Sequence, residues 1–206
     1  MAAIDSVVLE VADPAAAEDF YAAAFGLGDA VRVRATEAPT TGFRGFTLSL
    51  VVSQPGTVDS LLRSALDAGA TTLKPAAKSF WGYGGVVQAP DGAIWKVATS
   101  AKKDTGPATR QVEEIALLLG VGDVRASKRF YVERGLTVAK SFGTKYVQFD
   151  SSGRITLGLY GRRALAKDAG VPADGAGSHR IAIGSDAGPF SDPDGFAWET
   201  ATVRAA

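Results

Sequence analysis

The residues best suited to chemistry lie in two matching stretches of the sequence, Gln88–Val97 (QAPDGAIWKV) and Ser191–Thr200 (SDPDGFAWET). Each stretch predicts a turn that leads into a strand, and Lys96 in the first takes the place of Glu199 in the second. A carboxylate at that place can ligate a metal ion or accept a proton, whereas an ammonium group can do neither. The pattern leaves two alternatives, a metal enzyme and a protein that binds its ligand without a metal.

The two stretches close the halves of an internal repeat. Near the start of each half, Asp13 and Tyr21 match Asp123 and Tyr131 after a shift of 110 (123 − 13), and the closing turns match after a shift of 103 (194 − 91). In each half alternating apolar residues predict a strand, which is followed by an Asp suited to cap a helix. A glycine then ends the helix.

This repeat predicts two domains, 1–100 and 111–206, which are joined by a polar linker at 101–110 that contains Gly and Pro. The predicted helices are 15–24, 57–70 and 124–134. The predicted strands are 6–11, 30–34, 46–52, 71–74, 84–88, 93–98, 114–121, 136–141, 145–150, 155–160, 179–184 and 197–203. The second domain is predicted to be shortened, with its second helix missing. Helices at such intervals in a strand-rich chain indicate an α+β fold with helices on the outer face of curved sheets.

Composition excludes several classes of protein. The 22 Lys and Arg residues balance 22 Asp and Glu residues without a basic cluster, so no nucleic-acid partner is expected. Cysteine is absent, which excludes disulfides and thiolate metal sites. The N-terminal residues do not resemble a signal peptide, and no stretch of about 18 apolar residues occurs. A cytoplasmic protein with no membrane partner is therefore predicted.

The strand–Asp–helix–FY…GL pattern that opens each half, with PDGxxW near its end, resembles the glyoxalase / bleomycin-resistance / extradiol-dioxygenase (vicinal oxygen chelate) superfamily. The resemblance covers nearly the whole chain. It implies tandem βαβββ modules whose mixed sheets curve around a cup. One fold hosts many functions, so it says less about the chemistry.

Metal-using members of that superfamily carry His at the start of the first and middle strands and Glu after the closing turn. The resemblance places the corresponding positions at Ser6, Ala116, Thr47, Arg180, Lys96 and Glu199. Cations at Lys96 and Arg180 oppose a divalent ion, so no metal cofactor is predicted. The alternative keeps a divalent metal on Glu199 with Glu114, and with His179 if the strand register shifts by one residue.

Strand alternation also predicts which side chains face the cup. The polar candidates for ligand binding are Ser6, Glu10, Thr47, Ser49, Lys96 and Arg180. In a Gly-rich connection, Trp81 and Tyr83 are predicted to stack on a ligand, whereas Trp95 and Trp198 are predicted to pack behind the sheets. Weaker aromatic candidates are Phe43, Phe46, Tyr146, Tyr160 and Phe190. The alternatives are structural ion pairs for the charged residues and simple loop packing for the aromatic ones.

The predicted function is metal-independent binding of a small organic molecule in a cup between the sheets, which resembles the sequestering bleomycin-resistance proteins. The alternative is a glyoxalase-like lyase, isomerase or dioxygenase that uses Glu199, with Glu114 or His179, as metal ligands or as an acid–base pair. A third possibility is a structural or regulatory protein whose cup is filled by its own side chains. The sequence leaves open whether a reaction is catalysed, and it predicts a monomer or a homodimer.

Overall fold

The computed structural model describes residues 2–150 and 152–201. The helices are α1 (Pro14–Ala24), α2 (Pro55–Asp67), α3 (Val124–Glu133) and α4 (Arg162–Ala169). The strands are β1 (Ile4–Val11), β2 (Val31–Ala35), β3 (Thr40–Gly42), β4 (Phe46–Val51), β5 (Thr71–Ser79), β6 (Gly82–Gln88), β7 (Ile94–Thr99), β8 (Glu114–Val121), β9 (Val138–Ser141), β10 (Tyr146–Phe149), β11 (Ile155–Gly161), β12 (Gly175–Gly177), β13 (Ile181–Ser185), β14 (Phe190–Ser191) and β15 (Ala197–Thr200). The predicted α+β class is confirmed.

The helices that open the two halves begin and end as the sequence predicts. The Asp13 carboxylate accepts a hydrogen bond from the Ala16 N–H at 3.1 Å, and Asp123 caps α3 in the same way. Beyond the helix ends, Gly26 (φ +64°) and Gly135 (φ +88°) adopt the left-handed conformation that glycine reaches without a steric penalty.

Two sheets, one of five strands and one of eight, are built from strands of both halves. The small sheet has the order β14-β15-β13-β1-β2, and the large sheet has the order β5-β6-β7-β4-β8-β11-β10-β9. Antiparallel pairing of β1 with β13 and of β4 with β8 joins the halves. The division into domains at 1–100 and 111–206 stays a prediction. The strands of the two ranges are shared between both sheets and do not form one separate sheet each.

The predicted linker is held against the body of the protein. The buried side-chain amide of Gln54 accepts from the Thr105 N–H at 2.8 Å and donates to the carbonyl oxygens of Gly106 and Pro107 at 2.9 and 2.8 Å. Arg110 donates to the carbonyl oxygens of Ala23 and Ala24 at the end of α1. These bonds fix the crossover between the halves.

One apolar core unites the two sheets with α1, α2 and α3. The strands contribute every second side chain, for example Leu48 and Leu50 from β4 and Leu117 and Leu119 from β8, all fully buried. Trp95 (0% exposed) and Trp198 (3% exposed) lie in this core, which confirms the prediction that they pack behind the sheets.

Helix α4 corrects the prediction that the second half lacks a second helix. It follows β11 directly, as α2 closely follows β4, and its residues Leu165, Ala166 and Ala169 pack against Phe43, Val86 and Ile94 in a second apolar cluster. Its cap residue is Gly161, which offers no side-chain hydrogen bond, and its first turn contains no acidic residue. The usual sequence signals for a helix start are therefore missing.

Other differences are smaller. The ribbon formed by β3 and β12 and the short strand β14 were not predicted. Strand β5 extends to Ser79, beyond the predicted end at Lys74, and two register irregularities interrupt its pairing. The last strand is β15, and residues 202 and 203 of the predicted strand 197–203 lie outside the part of the chain that is described.

Candidate functional site

The structure divides the residues predicted to face one cup between two sheets. Ser6 and Glu10 lie on β1 and Glu199 on β15 of the small sheet, on the side opposite the apolar residues of these strands. Ser49 and Lys96 lie on the polar side of the large sheet. The predicted alternation of faces within each strand holds, but these faces belong to separate sheets.

On the small sheet the polar face carries a three-residue ion pair. The Arg34 guanidinium donates to Glu10 at 2.7 Å and to Glu199 at 3.0 Å, and these hydrogen bonds raise the pKa of Arg34. The Arg34 side chain is 47% exposed and that of Glu199 is 32% exposed. Glu199 therefore forms a structural ion pair with Arg34. Structural ion pairs were the predicted alternative to ligand binding, but the cation is Arg34 and not Lys96 or Arg180.

Ser6 and Arg180 are used structurally. Ser6 is buried against Gly184 of β13, where a Cβ would meet the serine oxygen at 2.5 Å. Arg180 has φ +52°, an uncommon conformation for a residue other than glycine. Its Nε and Nη2 donate to the Ala38 carbonyl oxygen at 2.9 and 2.6 Å, which ties the loop after β2 to the start of β13.

His179 is enclosed by backbone oxygens. Its Nδ1 contacts the Arg44 carbonyl oxygen, and its Nε2 lies 3.0 Å from the Asp194 carbonyl oxygen. The ring stacks on Phe196 at a centroid distance of 3.9 Å. Both nitrogens face protein oxygens, so neither is directed at Glu114 or Glu199. His179 lies two residues before β13, which begins at Ile181 and not at residue 179 as predicted, and its ring is held in place by these backbone oxygens and by Phe196.

Helix α4 covers one end of the polar face of the large sheet. Thr47, a predicted ligand-binding residue, is only 4% exposed, and it pairs with Leu118, which packs on the α4 cluster. The far end of α4 is fixed to the sheet because Lys96 forms an ion pair with Asp168 at 2.8 Å. The Lys74 ammonium donates to the carbonyl oxygens of residues 167 and 168, both at 2.7 Å, where a cation is favourable at a helix C-terminus.

The other end of this face remains open as a cavity of about 370 Å³. Gly84, Val86 and Ala98 contribute to its lining from β6 and β7, and Asp168 contributes from α4. Lys96 also lines it, with its side chain 34% exposed. Adjacent to Lys96 on β4, Ser49 is 8% exposed, and its hydroxyl has no hydrogen-bond partner within the described residues. Ser49 does not line the cavity and its hydroxyl is enclosed by the protein, so this hydroxyl is not available to a ligand bound there.

Trp81 and Tyr83, the two aromatic residues predicted to stack on a ligand, lie in different surroundings. Trp81 lines the cavity at the tip of the β5–β6 hairpin, where it is 83% exposed and contacts the ring of Phe80 edge to face. Tyr83 also contributes to the lining of the cavity, but its ring packs on the main core and its hydroxyl donates to Asp59 of α2 at 2.8 Å. The expected stacking role for the Tyr83 ring on the cup face is therefore not supported.

Two of the weaker aromatic candidates form a neighbouring patch on the large sheet. The rings of Tyr146 and Tyr160 lie 4.7 Å apart, on opposed positions of β10 and β11. Burial raises the pKa of Tyr146 to about 12, with smaller contributions from Tyr160 and from the negative charge of Glu114. Burial also raises the pKa of Tyr160, and the charge of Asp168 adds to this shift.

The remaining weak aromatic candidates are structural. Phe46 lies in the main core, and Phe43 lies in the second cluster with the Arg162 guanidinium 5.2 Å from its ring. Phe190 stacks on Trp198 at 4.9 Å.

The residues present do not fit the divalent metal of the superfamily. At the closing positions, Lys96 is a cation paired with Asp168, and Glu199 is held by Arg34. Residues 2–150 and 152–201 contain no group of three or more His, Cys, Asp or Glu residues that could hold a metal ion. The alternative set Glu199, Glu114 and His179 is thus not assembled, because the strands that carry the two glutamates enter different sheets.

Comparison with solved structures identifies the fold. Glyoxalase I from Zea mays matches with a TM-score of 0.62 and 15% identity, over 96% of this chain and 91% of that chain. A mutant of the same enzyme matches with a TM-score of 0.60 and 15% identity, over 96% and 91% of the two chains. A Bacillus subtilis protein provisionally assigned as a dioxygenase matches with a TM-score of 0.54 and 14% identity, over 88% and 69%.

The chain therefore has the fold of the vicinal oxygen chelate superfamily, which confirms the resemblance at the level of the fold. No protein-family model matches the sequence, and the search of curated proteins finds no relative. Among the helices of the described residues, none is long and apolar enough to cross a membrane.

Proposed function

We propose that the protein binds a small organic molecule, without a metal, in the cavity on the polar face of the large sheet. The observation that carries the proposal is the Lys96–Asp168 pair, which places a donor and an acceptor 2.8 Å apart in the wall of the cavity. A ligand with a polar edge can bond to both groups.

The size and lining of the cavity support this proposal. Its volume of about 370 Å³ lies in the range of small-molecule sites. Gly84 and Ala98 carry little or no side chain, so that part of the lining is flat. A flat apolar surface with a polar wall favours a planar molecule, and Trp81 at the rim can stack on it.

Helix α4 fills part of the polar face of the large sheet, as the third possibility, a cup filled by side chains of the protein itself, would require. It occupies the end of the face near Thr47 and Leu118. The end near Gly84 and Lys96 is left open. We therefore assign binding to the open end and a structural role to the covered end.

The enzyme alternative has less support. An acid–base pair of Glu199 with Glu114 needs the two carboxylates close together, whereas Glu199 lies with Arg34 on the small sheet and Glu114 begins β8 of the large sheet. The proposed function therefore includes no catalytic step.

The test combines a ligand inventory with a matched pair of variants. Native mass spectrometry of protein purified from its host is expected to reveal a retained organic molecule and only substoichiometric transition metal. For neutral bicyclic aromatic compounds with one polar group, Lys96→Met is expected to weaken binding at least about tenfold, because the donor is lost. Lys140→Met, at an exposed position of β9, is the control and is expected to leave affinity unchanged.

Two results would contradict the proposal. One is unchanged affinity in both the Lys96→Met and the Trp81→Ala variants. The other is a near-stoichiometric metal whose removal abolishes ligand binding.

A further inference from the structure

The wall of the Lys96 cavity presents two unlike groups to a ligand. The Lys96 ammonium donates to Oδ2 of Asp168 at 2.8 Å, and the two side chains are 34% and 46% exposed. An ammonium group has several N–H donors and a carboxylate has several lone pairs, so one contact uses only part of the capacity of each. The pair therefore offers a donor and an acceptor, side by side, to the same edge of a bound molecule.

Two common polar edges do not match this pair. A carboxylate presents two oxygen atoms, of which one bonds to Lys96 while the other meets the negative charge of Asp168. An amidinium edge has the opposite defect, because it bonds to Asp168 and is repelled by the charge of Lys96. The edge that suits both groups is neutral and carries an acceptor beside a donor.

The cis-amide group has such an edge. Its C=O and N–H point in the same direction, as they do in a lactam ring, so the oxygen accepts from the Lys96 ammonium while the N–H donates to the Asp168 carboxylate. Each of these hydrogen bonds has one charged partner, and such bonds are stronger than those between neutral groups. Neither bond requires the ion pair to open, because the amide uses a second N–H of the ammonium and a second lone pair of the carboxylate.

The other charges at the cavity do not favour an ionic ligand. Lys74 contributes to the lining, but its ammonium donates to two carbonyl oxygens at the C-terminal end of α4, both at 2.7 Å, where it balances the negative end of the helix. Lys78 also contributes to the lining, but it is paired with Tyr83 across the two strands, so its side chain leaves the sheet on the face opposite Lys96. The wall at the ion pair is thus close to neutral.

The floor of the cavity favours a planar body. A Cβ atom at Gly84 would lie 2.7 Å from the Val97 carbonyl oxygen and 2.9 Å from the Ala98 Cβ, so no side chain fits there and the backbone itself forms the floor. Trp81 lies at the rim with 83% of its surface exposed. A flat ring system packs on this floor, and the indole ring is available to stack on it.

We propose that the ligand of this cavity is a planar lactam, a ring system whose C=O and N–H stand side by side at one edge. The carbonyl oxygen bonds to Lys96, the N–H bonds to Asp168, and the rings lie on the strands at Gly84 and Ala98. This assignment rests on the proposed binding function and adds the chemical class of the ligand to it.

Two compounds of the same shape test the proposal by titration calorimetry on the intact chain. 2-Quinolone is a bicyclic lactam, and coumarin replaces its N–H by an oxygen atom, which places an acceptor opposite Asp168. 2-Quinolone is expected to bind at least about tenfold more tightly than coumarin. 2-Naphthoate, which has a carboxylate at its edge, is expected to bind more weakly than 2-quinolone. This comparison requires no substitution in the protein.

Two variants locate the source of the preference. Asp168→Asn keeps the size of the side chain, but its amide can turn to offer either a donor or an acceptor, so the preference for 2-quinolone over coumarin is expected to fall to about twofold or less. Glu133→Gln removes an exposed carboxylate from the last turn of α3 and is the matched control, which is expected to leave the preference unchanged.

The outcomes separate the lactam assignment from the binding function itself. Equal affinity for 2-quinolone and coumarin, or tighter binding of 2-naphthoate, overturns the assignment while binding in the cavity stands. A preference that is undiminished in Asp168→Asn overturns it as well, because the N–H then bonds elsewhere. If neither 2-quinolone nor coumarin binds, or if Lys96→Met and Trp81→Ala leave their affinities unchanged, the proposed function fails and the assignment fails with it.

Discussion

The hydroxyl of Tyr131 lies 2.5 Å from the Asp192 carboxylate in the interior of the protein, where Tyr131 is 0% and Asp192 is 6% exposed. Asp192 also accepts from the backbone N–H groups of Asp194 and Phe196. The bond thus joins α3 to the turn before β15, which is a strand of the small sheet. Burial raises the pKa values of both side chains, and the Tyr131 hydroxyl donates to the carboxylate oxygen of Asp192 that the two backbone N–H groups do not use.

We predict that Tyr131→Phe lowers the free energy of unfolding by about 2 kcal/mol, because a buried carboxylate loses a hydrogen bond. Urea denaturation measures the change. Tyr83→Phe is the control, since its hydroxyl bonds to the exposed Asp59, and it is expected to cost less than about 0.5 kcal/mol. Equal losses in the two variants would show that the Asp192 contact contributes no more than a surface hydrogen bond.

All five tyrosines have pKa values raised above the ordinary value. Burial is the largest cause for each except Tyr83, where the hydrogen bond to Asp59 comes first. The folded protein therefore keeps phenolic protons that the unfolded chain begins to lose near pH ~10. The stability linked to these protons is present in full below that pH and is lost as the pH rises through the folded-state values.

These raised pKa values predict that tyrosinate forms at a higher pH in the folded protein than in the unfolded chain. Absorbance at the phenolate band is expected to stay low above the ordinary tyrosine pKa and then to rise together with the loss of near-ultraviolet dichroism. In concentrated urea the signal is expected near the ordinary pKa. A folded protein that ionises most of its tyrosines at the urea value would contradict the prediction.

Much of the fold could be predicted because its signals are local. Asp13 and Asp123 mark helix starts, Gly26 and Gly135 mark helix ends, and alternation assigns the faces of most strands. The pairing of β4 with β8 could not be predicted, since nothing in either strand specifies a partner so far along the chain. Helix α4 was missed because a glycine cap and a first turn without acidic residues give no helix-start signal.

The candidate site was predictable only in part. Lys96 was found from its contrast with Glu199 in the repeat. Its partner Asp168 lies on the missed helix, so the pair could not be predicted. Tyr83 was assigned to a loop, whereas it is the second residue of β6, and the alternation of that strand turns its ring away from Gly84 and Ala98.

Glu199 offers a test that separates an ion-pair role from a catalytic one. Glu199→Gln is expected to change the free energy of unfolding by less than about 1 kcal/mol, because the pair with Arg34 is largely exposed to solvent and screened by it. It is also expected to leave ligand binding at the Lys96 cavity unchanged. Isothermal titration with a ligand of that cavity checks the second point. A large loss of affinity in this variant would show that Glu199 contributes to the binding site.

Separation of the two halves is the most direct test of the composite sheets. Fragments 1–102 and 103–206 are each expected to be unfolded alone. Cutting the chain there leaves β1 and β2 without β13, and β4 without β8, so apolar side chains such as Leu48 and Leu117 become exposed. Exposing a few such side chains costs a free energy comparable to the whole stability of an ordinary domain.

Mixing the fragments is expected to restore the native structure, because each supplies the strands that the other lacks. Near-ultraviolet dichroism reports the recovery through Trp95 and Trp198, one in each fragment and both in the shared core. Fragment 1–102 with Leu48→Asp is the control, and it is expected not to complement. If fragment 1–102 alone gives a cooperative urea transition and a native-like spectrum, the first half builds its own sheet and the exchange of strands is not required for folding.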